Sequence, residues 1–450
     1  MDIRRTIYDS LLSWKDSKQR KPLILRGARQ VGKTTLVNRF AEEFDHYIYL
    51  NLELSQDKKY FTNEDDVSLI LDSIILEKDI QLTDKEKLLL FIDEIQEMPN
   101  VINLLRYFYE KIPKIHVIAA GSLLEFALGD SSTIPVGRVQ FLHLFPLNFE
   151  EFLAAQKKNS WLKAFSEVPV QDAAHVLLMK QFHTYCILGG MPEVVQTYIA
   201  NNTMSEVSAV YQSIWQTYKS DIEKYASNDS EKRIIRHVLE TAPYYFDERV
   251  KFQNFGNSNY RSREISEAFK NLDAAGLIRL LYPSTSINPP IQKDFKKSPR
   301  LLFLDVGIVN YIRKIQADLL LMSDISEAYK GALIPQLIYQ ELLSTNNLDI
   351  EKPVFWVRDK AQSSAEVDLI LQYKDKIIPI EIKSGPTGSL KSLHQFINRT
   401  NHNYAVRIYG GKFSVQKQTT PEGKDYLLMN LPYYLGTKIK EYIAYFLDEY

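Results

Sequence analysis

GARQVGKT occupies residues 27–34, directly behind the apolar run LILR (23–26) and ahead of TLVNRFAEEF (35–44), which has helical spacing. Strand, glycine-bearing loop and helix in that order form the cradle that phosphate groups need. Gly27 and Gly32 allow backbone torsions that a side chain forbids, so that successive N–H groups of Ala28, Arg29, Gln30 and Val31 turn inward. The helix beginning near Lys33 adds the positive end of its dipole. Lys33 then reaches the β- and γ-phosphates, the Thr34 hydroxyl binds magnesium, and Thr35 faces the α-phosphate. LLLFIDEIQ (88–96) follows, its Asp93 60 residues after Lys33. A buried strand ending in two acids carries Asp93 to the carboxyl edge of a sheet, where it holds the magnesium shell. Glu94 is then placed to polarise an attacking water.

Around this nucleus the first 150 residues alternate short apolar runs with helical patterns. The runs are 22–27, 47–53, 88–94, 115–122 and 139–147. Rich in Ile, Leu and Val and bounded by turn residues, they predict a parallel sheet covered on both faces, the core of an α/β sandwich. Amphipathic helices dominate from about 148 to 245. SREISEAFKNLDAAGLIRLLYP (262–283) predicts a helix with Ile265, Phe269 and Leu272 on one face, a stop at Gly276 and a strand over LIRLLY. Residues 283–299 read as a long loop. The chain of 450 residues exceeds one ordinary core, so several domains are expected. Lys and Arg number 55 against 56 Asp and Glu, so bulk charge gives no argument for nucleic acid or an anionic membrane. Cys186 is the sole cysteine, which excludes an intramolecular disulfide and a cysteine-based zinc site. The first twenty residues lack a signal-peptide core, and no run of about 18 apolar residues exists to span a bilayer. A cytoplasmic location is the expectation.

The first 150 residues resemble AAA-type P-loop ATPases of bacteria and archaea, in the branch with a catalytic Glu after the magnesium-binding Asp. Together GARQVGKT, LLFIDEIQ, AAGSLLEF (119–126), PVGRV (135–139) and FPLNFEEFL (145–153) resemble one prokaryotic family whose C-terminal domain is similar to restriction endonucleases. GGMPEVV (189–195), YKSDIEKY (218–225), EVDLIL (366–371) and PIEIKSG (379–385) extend the resemblance over nearly the whole chain. It implies a strand bearing Ser122 between the phosphate-loop strand and the Asp93 strand. Ser122 then either touches the γ-phosphate or its water, or merely forms a turn. Arg138 either stabilises transition-state charge, within the chain or across a subunit boundary, or is a solvated surface residue. The expected organisation is an ATPase domain at 1–150, a helical subdomain at 151–225, a winged-helix-like domain at 226–298 and a restriction-endonuclease-like α/β domain at 299–450.

EVDLILQYKDKIIPIEIKSG (366–385) predicts a hairpin. A two-residue loop at Lys374–Asp375 sets Asp368 opposite Glu381, and one at Asp375–Lys376 sets it opposite Lys383. Either register places Asp368, Glu381 and Lys383 on one face, because strand side chains alternate with period two. Two carboxylates and a lysine can hold a divalent metal and orient water, the layout of the nuclease site that the resemblance implies. Glu341, in QLIYQELLS (336–344), is the candidate further acid. Relatives carry a Glu near the positions of Pro335 and Gln336, and this departure weakens the expectation of cleavage. The alternative is an edge hairpin with ordinary cross-strand ion pairs. In the winged-helix region Tyr260, Arg261, Arg263 and Lys270 suit DNA, yet Glu264, Glu267 and Asp273 nearly cancel them, which favours packing between domains.

These readings converge on an ATP- and Mg2+-dependent switch coupled to a nuclease-like, DNA-binding C-terminal domain. The alternative is an ATP-gated interaction scaffold with a degenerate nuclease fold, whose partner is a protein or uncut DNA. A small-molecule kinase is disfavoured, since Glu94 suits activation of water. An oligomer is expected if Arg138 acts on a neighbour's phosphates.

Overall fold

The computed structural model describes all residues except 1–2, 84–85, 123–134, 136, 202, 223–225, 227, 323–330, 348–351, 360–364 and 384–388. Five strands, β1 (Leu23–Arg26), β2 (His46–Asn51), β3 (Leu88–Asp93), β4 (His116–Ala120) and β5 (Gln140–His143), coincide with the five apolar runs. They form a parallel sheet in the order β2–β3–β4–β1–β5, so β4 does lie between the phosphate-loop strand and the Asp93 strand. Alternation explains why these strands are apolar throughout. Leu23, Leu25, Leu89, Phe91 and Ile118 bury themselves on one face, and Ile24, Leu90, Ile92 and Val117 on the other. Helices Val67–Glu77 and Pro99–Lys111 cover the second face.

Five helices follow, Phe149–Ala155, Asn159–Ser166, His175–Leu188, Pro192–Asn201 and Met204–Ile222. The expected end of this helical stretch, 223–225, lies outside the described residues, as do parts of AAGSLLEF, PVGRV and PIEIKSG. Helices Asp229–Thr241 and Ser262–Ala274 then lead into an antiparallel pair, β6 (Ile278–Leu281) and β7 (Arg300–Phe303). Gly276 has φ +77° behind the second helix, the left-handed turn that the sequence required there.

The C-terminal sheet has six strands, β8 (Val354–Val357), β9 (Glu366–Tyr373), β10 (Lys376–Ile382), β11 (Tyr404–Tyr409), β12 (Ser414–Thr419) and β13 (Asp425–Pro432). Their order is β12–β13–β11–β10–β9–β8; β10, β11 and β13 run parallel, and the other neighbours pair antiparallel. Helix Leu333–Ser344 is buried along its entire length. It belongs to one apolar core that runs from the first face of the five-stranded sheet through the middle helices into the C-terminal sheet. Among the described residues no helix is long and apolar enough to cross a membrane.

Candidate functional site

The carboxyl ends of β1, β3 and β4 deliver three backbone turns to one edge of the sheet. At the first, Gly27 has φ +152°, and a Cβ there would stand 2.3 Å from the Leu144 carbonyl oxygen. Gln30 and Gly32 have φ of +65° and +94°, which turns the loop over the start of helix Lys33–Phe40. Lys33 is buried, and its Nζ donates to the Gly27 and Ala28 carbonyls at 3.0 Å each. Burial brings its ammonium down to about 8, against the opposing pull of Glu94 and Asp93. The ammonium thus rests on the loop's own carbonyls, from which phosphate oxygens can draw it.

The Thr34 hydroxyl donates to Asp93 Oδ2 at 2.7 Å. Burial raises the Asp93 carboxyl, and the Thr34 hydrogen bond draws it back. A hydroxyl and a carboxylate converging at the head of the phosphate loop are hard oxygen donors of the kind Mg2+ selects, so this pair fits the ion. Glu94 sits in the left-handed region with φ +52°, and its carboxylate accepts from the Gln96 amide. Ser122 is buried one residue beyond Gly121 at the end of β4.

A cavity of about 400 Å³ opens over the loop. Gly32, Lys33, Thr34, Thr35 and Glu94 line one side of it, and Ile3, Tyr8, Leu147 and Pro192 supply apolar surface. A lining of mixed polar and apolar residues suits a nucleotide. The sequence reading missed the apolar side. Ile3 and Tyr8 carry no motif, and Pro192 was noted only as part of GGMPEVV. Buried Arg5 clamps this wall, donating to Val31 O at 2.9 Å and Phe145 O at 2.6 Å beside Glu151. Arg29, also in the lining, pairs with Asp221 at 2.6 Å, and its carbonyl accepts from Tyr218.

Arg138 lies elsewhere. It is exposed and pairs with Glu110 at 2.8 Å. Because Gln140 pairs in parallel with Leu23, Arg138 stands at the amino end of the sheet. Six residues of strand rise, about 20 Å, separate that level from Gly27. That position does not suit a role at its own chain's phosphates and leaves the other two readings, a neighbour's phosphates or a solvated surface arginine.

In the C-terminal sheet Tyr373 pairs with Lys376 and Leu369 with Ile380, so the loop is Lys374–Asp375 and Asp368 comes opposite Glu381. Lys383 Nζ lies 2.6 Å from Glu381 Oε1, and Asp368 Oδ2 accepts from Ile382 N at 2.8 Å. Burial, then the Asp368 charge, pushes the Glu381 carboxyl up to about 8. The expected further acid does not join them. Glu341 is fully buried on the far side of its helix, accepting from Phe149 N at 3.1 Å and Tyr185 Oη at 2.7 Å. It caps the start of helix Phe149–Ala155, a role that the spacing of QLIYQELLS could not reveal. The place beside Asp368 is held by buried Arg300, 3.7 Å from it and also bonded to Asp247, Glu366 and Tyr339. Among the described residues no group of three or more His, Cys, Asp or Glu is arranged to hold a metal. Arg300 shares its charge among Asp247, Glu366 and Asp368, and Lys383 pairs with Glu381, so cations already held there compete with a divalent ion for these carboxylates.

Of the DNA-binding candidates, Arg263 pairs with Glu267 at 3.1 Å on the helix surface, and Lys270 lines a second cavity. Tyr260 packs against His237 with the rings tilted by 59° and their centroids 5.5 Å apart.

Residues 19–153 match the family described as an AAA domain, so this part of the chain is similar to AAA-type ATPase domains. Residues 179–319 and 330–433 match two families described as domains of unknown function, DUF8612 and DUF4143. An uncharacterized protein of Haemophilus influenzae is 25% identical over 223 residues, which are 47% of this chain and 48% of that protein. The match thus spans about half the length of that curated relative. Among solved structures, the Walker-type ATPase PABY2304 of Pyrococcus abyssi is 14% identical with a TM-score of 0.44, over 69% of this chain and 96% of that one. A signal-transduction ATPase with a tetratricopeptide repeat sensor from Pyrococcus horikoshii is 14% identical with a TM-score of 0.29, over 76% and 48% respectively.

Proposed function

We propose that the chain binds ATP with Mg2+ in the cavity over Lys33, hydrolyses it, and uses the nucleotide state to gate a C-terminal half that binds a partner without cutting it. The observation that carries the ATP reading is the Thr34–Asp93 hydrogen bond of 2.7 Å at the head of an intact phosphate loop. Thr34 and Asp93 hold the magnesium ion, which when bound offsets phosphate charge. Lys33 leaves the Gly27 and Ala28 carbonyls for the β- and γ-phosphates. Glu94 takes a proton from water as its oxygen attacks the γ-phosphorus and the bond to the bridging oxygen breaks. Ser122 orients the γ-phosphate or the water. Magnesium-dependent phosphate release tests this. Lys33→Ala brings it to background, and Glu94→Gln lowers kcat by about two to three orders of magnitude while nucleotide still binds. Wild-type turnover in Glu94→Gln would remove that residue's role.

Arg138 serves, in this reading, only a neighbouring chain. Turnover per chain then rises with protein concentration, and Arg138→Ala flattens that rise.

The scaffold reading of the C-terminal half rests on Arg300 beside Asp368 and on Glu341 being engaged at Phe149. The domains expected at 151–225, 226–298 and 299–450 then serve as relay and binding surfaces. A nuclease is the second reading, favoured by Asp368, Glu381 and Lys383 sharing a face. Manganese- or magnesium-dependent nicking of plasmid, lost in Asp368→Ala, would establish it over the scaffold.

A further inference from the structure

A second cavity, of about 360 Å³, lies on the other flank of the phosphate loop. Gly27, Ala28 and Gly121 form its floor, and a Cβ built on Gly276 would stand 3.9 Å from the Ala28 Cβ. Its walls come from three separate parts of the chain: β1 and β5, the turn behind helix Ser262–Ala274, and the segment entering β8. Among the described residues that line it, the charged ones are Arg26, Lys270, Arg279 and Lys352 against a single acid, Asp273.

That acid is already committed. Asp273 Oδ2 accepts from Lys352, and Oδ1 lies 3.4 Å from Arg279. Arg279 also donates to the Asp273 carbonyl, which caps the helix. The Arg26 guanidinium lies over Phe141, 4.1 Å from the ring centroid. Among the described residues, four cations gathered into a recess around one carboxylate leave a net positive field there. His143, in the same wall, responds to that field: burial, then Arg26 and Arg279, bring it down to about 4. It is neutral at physiological pH, and its ring can donate or accept a hydrogen bond.

We propose that this recess binds a small phosphate ester or oligophosphate, distinct from the nucleotide over Lys33, with Arg26, Arg279 and Lys352 as its principal contacts. The cations converge on a cavity rather than following one another along a surface. That arrangement suits a compact anion and does not suit a nucleic-acid backbone, whose charges need cations spaced along a track. The bound anion joins the start of the phosphate loop to the helix Ser262–Ala274. The proposal uses the Lys33 site only as a control and holds whether or not ATP is hydrolysed.

The test is calorimetric titration of the full chain with inorganic pyrophosphate, in excess magnesium and with ADP saturating the Lys33 site. One pyrophosphate per chain is expected with ADP still bound. Lys352→Gln weakens it about tenfold and Lys270→Gln by a smaller factor, with ADP affinity unchanged in both. Loss of the pyrophosphate signal when ADP is present would place the anion in the Lys33 site and overturn the proposal. So would equal affinity in both variants and wild type. Displacement of pyrophosphate by a short single-stranded oligonucleotide at lower concentration would instead make the recess a nucleic-acid contact, again against the proposal.

Discussion

Glu341 is the residue whose chemistry departs furthest from what its neighbours in sequence suggest. It is fully buried and accepts hydrogen bonds from Phe149 N and Tyr185 Oη, with no cation within ion-pairing distance among the described residues. Burial raises its carboxyl to about 8, the two hydrogen bonds opposing the rise. A raised carboxyl means that the folded chain holds a proton which the unfolded chain has released. The stability from that proton is fully present below the ordinary carboxylate range and is lost as pH rises through about 8. Melting temperature should therefore fall from about pH 6 to about pH 8.5. Glu341→Gln, which copies the neutral acid, should flatten this slope while leaving stability at the lower pH within about 1 kcal/mol. Glu341→Leu leaves Phe149 N and Tyr185 Oη buried without their acceptor and should cost about 2–4 kcal/mol at every pH. An unchanged slope in Glu341→Gln would mean that the responsible carboxyl lies elsewhere.

At the level of elements, the turn between helices His175–Leu188 and Pro192–Asn201 links the nucleotide cavity to the C-terminal half. Asp305, in the segment after β7, accepts from Gly190 N at 2.6 Å and caps helix Val306–Ile312 through Gly307 N at 2.9 Å. There is no room for a side chain at the turn: a Cβ on Gly190 would sit 2.0 Å from Leu147 O. Asp305→Asn would aim an amide N–H at Gly190 N–H or at Gly307 N–H. The expected cost is about 2–3 kcal/mol, with weaker ATP binding because Pro192 shifts in the cavity wall. Equilibrium ATP titration beside thermal melts checks it; full affinity in a destabilised Asp305→Asn would uncouple the turn from the cavity. These links show what sequence can and cannot reveal. The five parallel strands, the phosphate loop, and the shared face of Asp368, Glu381 and Lys383 were legible because periodicity and turn residues are local; which of two hairpin registers holds was not. Arg5, Tyr8, Asp305 and Arg300 were not, since each acts on a partner far along the chain. Nor could spacing decide that Glu341 faces Phe149 and not Asp368, because every position of its helix is buried. Helical periodicity identifies a buried face only when another face is exposed.

Across the whole molecule the expected domain boundaries separate sequence patterns but not the core. Leu25, Phe91 and Ile118 of the ATPase sheet belong to the same buried cluster as Tyr185, Phe303, Tyr339 and Tyr433. Helix Leu333–Ser344 is enclosed on all sides, and its Glu341 and Ser344 hydrogen-bond to Phe149 and Asn148. A cut after residue 150 would therefore expose Leu25's face of the sheet, sever helix Phe149–Ala155 and part Asn148 from its capping partner Glu151. Units that share apolar area on this scale unfold as one, because opening either exposes the surface of both. Calorimetry of the full chain should show a single transition. ATP or ADP at a hundred times its dissociation constant should move that transition as a whole, by the equivalent of about 2.7 kcal/mol. The shift should vanish in Lys33→Ala, and residues 1–150 alone should melt lower or fail to fold. Two transitions, with only the lower-melting one responding to nucleotide, would show that the C-terminal half is thermodynamically separate. The nucleotide over Lys33 would then have no route through this core by which to gate a partner site near Asp368.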